Sequence, residues 1–228
     1  MHSAITPTPK LEDDFYDWWE RHEQKVRLVQ AQPDASLVFI GDSITHLFEL
    51  DELNGTRGKR PWDRSFAKYR PINLGFGWDR TQNVLWRLAN GEFTGLRPRA
   101  VVLLIGTNNL TGSANAPTNS PAEIVAGITA IHAHIRAASP TTSLLLMGLL
   151  PRSGPADPLR ARIAEVNAML AAYAATHADV TLVDIGPLFL AADGTIPKHL
   201  MQDGVHPTEA GYTLWADAIA PHIHRLHS

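Results

Sequence analysis

The sequence predicts a three-layer α/β/α sandwich built on a five-stranded parallel sheet in flavodoxin-like order. Three observations carry that expectation. Runs that are apolar throughout, not alternating, recur at 37–40, 100–105 and 143–149. Stretches with helical periodicity separate them, as the crossovers between buried parallel strands require. The chain has 228 residues, 44% of them apolar and 19% charged, enough for a single domain with a sizeable core.

Taken in order, residues 1–10 read as a flexible N-terminal tail and 11–30 as a helix. In that helix Leu11, Phe15, Trp18 or Trp19, Val26 and Val29 recur at helical spacing among charges. The first strand, 37–40, ends in Gly41-Asp42-Ser43, and a helix begins near Ile44. A weaker strand, 71–74, leads through a glycine-bearing turn into a helix over 81–90. The clearest strand, 100–105, closes on Gly106-Thr107-Asn108-Asn109. Ser120 and Glu123 match a capping box with Pro121 at the first helical position, which predicts a helix over 121–138. A strand at 143–149, a helix over 158–176, a strand at 180–185 and a closing helix over 208–226 complete the pattern. Glycine, proline and serine sit in short clusters, such as 55–60 and 112–121, and form no interdomain linker. Residues 1–228 therefore read as one domain.

Composition excludes several function classes. With 20 basic and 23 acidic residues the net charge is -3, which rules out electrostatic gripping of nucleic acid. There is no cysteine, and so no disulfide framework, zinc-thiolate site, iron–sulfur cluster or cysteine nucleophile. No apolar run approaches the roughly 20 residues that span a bilayer. The first ten residues lack the basic and apolar regions of a signal peptide. As given, the chain reads as cytoplasmic. A secreted or periplasmic protein already trimmed of its signal would read identically.

Ligands of such sheets bind beyond the carboxyl ends of the strands. At those ends the sequence puts Ser43, the turn Gly75-Phe76-Gly77-Trp78-Asp79, and Asn108. After the fifth strand and a longer loop it puts Asp203-Gly204-Val205-His206. These are parts for acyl transfer. A serine hydroxyl needs a base to take its proton, and the base needs an orienting carboxylate. Asp203 and His206 stand three apart, so one turn of backbone brings carboxylate and imidazole together. N–H groups of the Ser43 and 75–79 turns, with the Asn108 amide, offer donors to an oxyanion. Singly, each motif is more often an ordinary turn or helix cap. Their joint order along the strands is what points to chemistry.

These residues resemble a known family. Gly41-Asp42-Ser43-Ile44, the glycine turn with Asp79, Gly106-Thr107-Asn108, and Asp203-Gly204-Val205-His206-Pro207 look like blocks I, II, III and V of the SGNH (GDSL-type) esterases. The stretches 83–92, 148–152 and 203–212 are similar, more narrowly, to the catalytic subunits of the intracellular platelet-activating-factor acetylhydrolase and their bacterial relatives. The resemblance runs from about Trp18 to Ala220. It implies Ser43 as nucleophile, His206 as general base and Asp203 as its orienting carboxylate. It also implies Ser43 N–H and the Asn108 side chain as oxyanion donors. The chain departs from the family at Trp78, where block II usually has glycine before its aspartate. The third donor is then the Trp78 N–H, with Gly77 as the alternative.

Asp42, Trp78, Arg80, Asn109 and Arg152 are further candidates for touching substrate. Asp42 reads first as a brace for its turn, and the two arginines at least as readily as structural ion-pair partners. His46 lies one turn beyond Ser43, and Trp62 is either pocket, core or dimer surface. The expectation is a serine esterase for small acyl esters, acetyl above all, working through an acyl-enzyme without metal or cofactor. Its partner is a small ester such as an acetylated sugar, an acetyl phospholipid or an aryl ester, and a homodimer is compatible with the sequence. The alternatives are a thioesterase or acyltransferase with the same triad, and a non-catalytic binding module on the same fold.

Overall fold

A computed structural model describes residues 2–51 and 58–228, so the first half of the cluster at 55–60 lies outside the described residues. Five strands form one parallel sheet in the order β2-β1-β3-β4-β5: β1 (Leu37–Gly41), β2 (Ile72–Gly75), β3 (Ala100–Leu104), β4 (Ser143–Met147) and β5 (Val180–Val183). This is the flavodoxin-like order. Every residue of β1, β2 and β3 is buried, and their sequences are apolar on both faces except at Asn73, whose amide donates to Thr45 O and accepts from Gly75 N–H. The edge strand β5 is partly exposed, and Thr181 interrupts its apolar run.

The longer helices are α1 (Trp18–Ala31), α3 (Lys59–Phe66), α4 (Thr81–Arg87), α6 (Pro121–Ala138), α7 (Pro158–Ala175) and α8 (Glu209–His227). Two single-turn helices, α2 (Ser43–His46) and α5 (Thr107–Leu110), follow β1 and β3 directly. Helix α3 packs on α8, while α4, α6 and α7 pack side by side, so the sheet is covered on both faces. Helix α6 starts where its capping box predicts, with Ser120 Oγ accepting from Glu123 N–H and Glu123 accepting from Ser120 N–H. Trp62 is core, its ring 4.6 Å from that of Phe39.

Two glycines let α2 fold back tightly over the sheet edge. A Cβ on Gly41 would meet Thr45 Oγ1 at 2.2 Å and Leu104 O at 2.3 Å. A Cβ on Gly75 would meet His46 N at 2.3 Å. Larger residues at either position would lift Ser43 away from the strand ends.

The N-terminal region corrects two expectations. Helix α1 begins at Trp18, not at 11, because Asp17 caps it and accepts from the N–H groups of Trp19 and Glu20. Residues 2–10 are no loose tail either. Ala4 is 0% exposed and its carbonyl accepts from Thr81 Oγ1 at 2.8 Å. Asn83 Nδ2 holds the Pro9 carbonyl at 2.7 Å, and Thr8 N–H donates to Gln82 O at 3.1 Å. Buried polar partners on α4, invisible in an isolated ten-residue window, fasten the segment. Helix α4 is also shorter than expected, passing after Arg87 into a wider turn over Leu88–Glu92 with Gly91 at φ +112°.

Candidate active site

The carboxyl edge of the sheet gathers one residue or pair from each connection. Ser43 opens α2, and as the first helical residue its N–H has no intrahelical partner. Asp42 caps that turn, its Oδ1 accepting from Ile44 N–H at 2.9 Å. The loop before α8 is shaped by Asp203. Its Oδ1 accepts from Val205 N–H at 2.9 Å and from His206 N–H at 2.8 Å. A bridge between Met201 and Pro207 closes the base of this loop.

Asp203 Oδ2 lies 2.7 Å from His206 Nδ1, and His206 Nε2 lies 2.9 Å from Ser43 Oγ. A carboxylate on Nδ1 selects the tautomer with its proton there, leaving Nε2 to accept from the serine hydroxyl. Burial alone would raise the Asp203 carboxyl. Hydrogen bonds from the His206 ring and from the His206 and Val205 N–H groups outweigh it and hold the group well below the usual carboxylate range. The carboxylate therefore stays ionised beside the imidazole.

A cavity of about 250 Å³ opens over these groups, lined by Asp14, Phe15, Ser43, Leu47, Trp78, Asn108, Arg152, Asp203, Val205 and His206. Trp78 is 49% exposed and sits at φ +62°, the left-handed region that favours glycine. That explains the usual family glycine and identifies the departure as a strained position. A Cβ on Gly77 would overlap Asp14 Oδ2, so a side chain there requires Asp14 to move aside. Neither the Ser43 nor the Trp78 N–H has a hydrogen-bond partner among the described residues. Asn108 Nδ2 donates to Asp79 O at 3.0 Å, and the amide carries a second N–H.

Three of the sequence's substrate candidates lie elsewhere. Arg80 is 2% exposed and turned into the loop after α5, where it donates to the carbonyls of Pro117, Thr111 and Ala116. Asn109 is 0% exposed, its Oδ1 accepting from Thr81 N–H while its Nδ2 donates to Gln82 and Asn119. Asp42 is fully buried below the nucleophile turn and is not among the residues lining this cavity. Burial pushes its carboxyl up to about 7, against the pull of the Ile44 N–H. His46 is buried too, and burial with nearby Arg21 and Lys25 lowers it to about 2, so it is neutral.

Arg152 does line the cavity. Its Nη1 donates to Thr107 Oγ1 at 3.2 Å, and among the described residues no carboxylate pairs with it. The structure adds Asp14, Phe15, Leu47 and Val205 to the lining. Asp17 as an N-cap is the signal that would have freed Asp14 and Phe15 from the helix; apolar spacing alone absorbed Phe15 into it. Among the described residues no group of three or more His, Asp or Glu side chains is placed to hold a metal ion.

The model of the GDSL-like lipase/acylhydrolase family matches residues 39–214, most of the chain. The chain belongs to that family. This GDSL-like protein is 33% identical over 210 residues to the human platelet-activating factor acetylhydrolase IB subunit alpha1, covering 92% of this chain and 84% of the relative. It is 34% identical over 195 residues to the rat alpha2 subunit, covering 86% and 78%. Among solved structures, a GDSL-like lipase from Bacteroides thetaiotaomicron shares the fold at TM-score 0.70 and 21% identity, over 91% of this chain and 97% of that one. An acetyl xylan esterase matches at TM-score 0.66 and 18% identity, over 82% and 98%. Family membership makes the GDSL-like chain a carboxylic ester hydrolase. No helix among the described residues is long and apolar enough to cross a membrane.

Proposed function

We propose that this ester hydrolase cleaves small acyl esters, acetyl foremost, through an acyl-enzyme formed on Ser43. The observation that carries the reading is the unbroken chain Asp203 Oδ2 to His206 Nδ1 at 2.7 Å and His206 Nε2 to Ser43 Oγ at 2.9 Å, ending at a cavity. As Ser43 Oγ attacks the ester carbonyl, Nε2 takes its proton, and Asp203 stabilises the imidazolium. The carbonyl oxygen gains negative charge, for which the N–H groups of Ser43 and Trp78 and the Asn108 amide serve as donors. His206 then gives its proton to the departing alcohol. In the second half it takes a proton from water, whose oxygen attacks the acyl carbonyl, and returns that proton to Ser43 Oγ as the C–Oγ bond breaks and the acid is released.

Acyl size follows from the walls. Leu47 and Val205 are among the apolar side chains lining a cavity of about 250 Å³, which suits a short acyl group better than a long chain. The curated relatives' names, acetylhydrolase subunits, agree with acetyl. On the alcohol side, Arg152 offers an unpaired guanidinium to an anionic or oxygen-rich group, and Trp78 an apolar wall. The test is hydrolysis of p-nitrophenyl acetate, butyrate and octanoate by wild type and Ser43→Ala. Activity that falls with chain length and disappears in the variant is expected. Octanoate as the best substrate would reject the small-acyl reading, and a variant retaining more than about a tenth of kcat would reject the nucleophile.

A further inference from the structure

Behind the Trp78 turn lies a buried charge cluster that the reaction above does not use. Asp79, Arg87 and Glu92 are all buried. Arg87 Nε donates to Asp79 Oδ2 at 2.7 Å, and its Nη1 is paired with Glu92 Oε2. Glu92 Oε1 lies 2.7 Å from His22 Nδ1. The other oxygen of Asp79, Oδ1, accepts from the Trp18 indole N–H at 2.9 Å. Both carboxylate oxygens are thus held, one by α1 and one by α4.

Desolvating two carboxylates and a guanidinium is expensive, and apolar packing of equal volume would stabilise such a site at least as well. What the cluster supplies is fixed geometry. Asp79 directly follows Trp78, and its backbone carbonyl accepts from Asn108 Nδ2 at 3.0 Å. A planar amide has its two N–H bonds about 120° apart, so fixing one aims the other. The Arg87 guanidinium also lies 4.0 Å over the ring of Phe76, clamping the same turn from a second point.

We propose that Trp18 and Arg87 are positioning residues for the oxyanion donors: by gripping the Asp79 carboxylate they fix its carbonyl, and that carbonyl aims the Asn108 amide. The inference rests on the oxyanion role given to Asn108 above. The rival is a plain structural tie between α1, α4 and the sheet, which would affect stability without singling out the transition state.

A double-mutant cycle with Asn108→Ala separates the two. Trp18→Phe keeps an aromatic ring at the position and removes the N–H donor together with part of the indole's packing. It should lower kcat by about tenfold with KM changed less than about twofold, since misaimed donors are missed chiefly in the transition state. On the Asn108→Ala background the same substitution should change kcat by less than about twofold. Asp79→Asn keeps the carbonyl but breaks the Arg87 pair, and should behave likewise; Arg87→Lys should retain part of the activity. Thermal midpoints identify any variant that merely unfolds. Equal losses from Trp18→Phe with and without Asn108, or no loss at all, would overturn the proposal. An Asn108→Ala enzyme with undiminished kcat, beside an inactive Ser43→Ala, would instead remove the oxyanion reading on which it stands.

Discussion

His206 Nε2 reaches Ser43 Oγ at 2.9 Å across 163 residues of chain. Two separate devices set that distance. The Asp203 loop is pinned at its base by the bridge between Met201 and Pro207. One turn further on, Tyr212 Oη donates to Ile44 O at 2.8 Å, tying α8 directly to the nucleophile helix α2. The ring of Phe48 stacks on Tyr212 at 4.6 Å and holds the tie in place. The histidine is therefore positioned against the serine by rigid helices, not by the flexibility of its loop.

The first prediction concerns that pair. Ser43→Ala and His206→Ala should each lower kcat by several orders of magnitude while leaving the thermal midpoint near wild type. Because the two act as one unit, the double variant should be scarcely slower than either single one. Steady-state kinetics of the three variants on p-nitrophenyl acetate checks this. Multiplying losses would mean that the two side chains act independently.

Asp203 carries the second. Its folded-state carboxyl is depressed, so its stabilising contribution is present above the ordinary carboxylate value and is lost only as pH falls through the depressed one. Near neutral pH it is therefore ionised. Asp203→Asn should keep the loop hydrogen bonds to the Val205 and His206 N–H groups, yet favour the wrong tautomer. A kcat loss of about 10³- to 10⁴-fold is expected. A pH–rate profile shows whether the residual activity climbs in alkali. Near-wild-type activity at pH 7 would exclude the tautomer role.

Asp42 supplies the third, on stability. Its carboxyl is raised to about 7 by burial, above the unfolded value. The sign follows: its contribution is fully present below the unfolded value of about 4 and is lost as pH rises through about 7. In Asp42→Asn the amide oxygen still accepts from Ile44 N–H, and nothing remains to ionise. The variant should gain thermal midpoint over wild type at pH 8, with the gap narrowing toward pH 5. Calorimetric scans between those values decide it, and a constant gap would mean that Asp42 does not titrate in the folded protein.

The strands were legible because burial on both faces leaves apolar runs with no alternation, and α6 because Ser120, Pro121 and Glu123 mark its start locally. The residues Ser43, Asn108, Asp203 and His206 were legible as strand-end residues, and all of them meet at the cavity. Long-range choices were not legible. Nothing near Arg80 in sequence says that its guanidinium turns into loop carbonyls more than thirty residues away, while Arg152 stays at the cavity. Asp14 was hidden for the opposite reason. Leu11 and Phe15 imitate helical spacing in an irregular segment that borders the cleft, and only the Asp17 cap distinguishes the two.

The final prediction concerns Trp78, an aromatic residue at φ +62°. Left-handed backbone costs a residue with a Cβ about 1–2 kcal/mol. Trp78→Gly removes that strain but loses about 1 kcal/mol to the greater freedom of glycine in the unfolded chain. The two effects nearly cancel, so stability should change by less than about 1 kcal/mol. Activity then reports the side chain alone, because the backbone N–H survives the substitution. The indole is half exposed and lines the cavity. It does not lean on either ring that would otherwise absorb it: Trp62 packs on Phe39, and Phe76 on Trp18. A wall of that kind contacts the larger part of the substrate. Trp78→Gly should therefore raise KM for bulky or ring-bearing acetyl esters, while kcat on the smallest acetyl ester changes by less than about tenfold. Comparing phenyl, glycosyl and ethyl acetates measures it. A uniform loss on all three, with selectivity unchanged, would show that the indole only stiffens its turn.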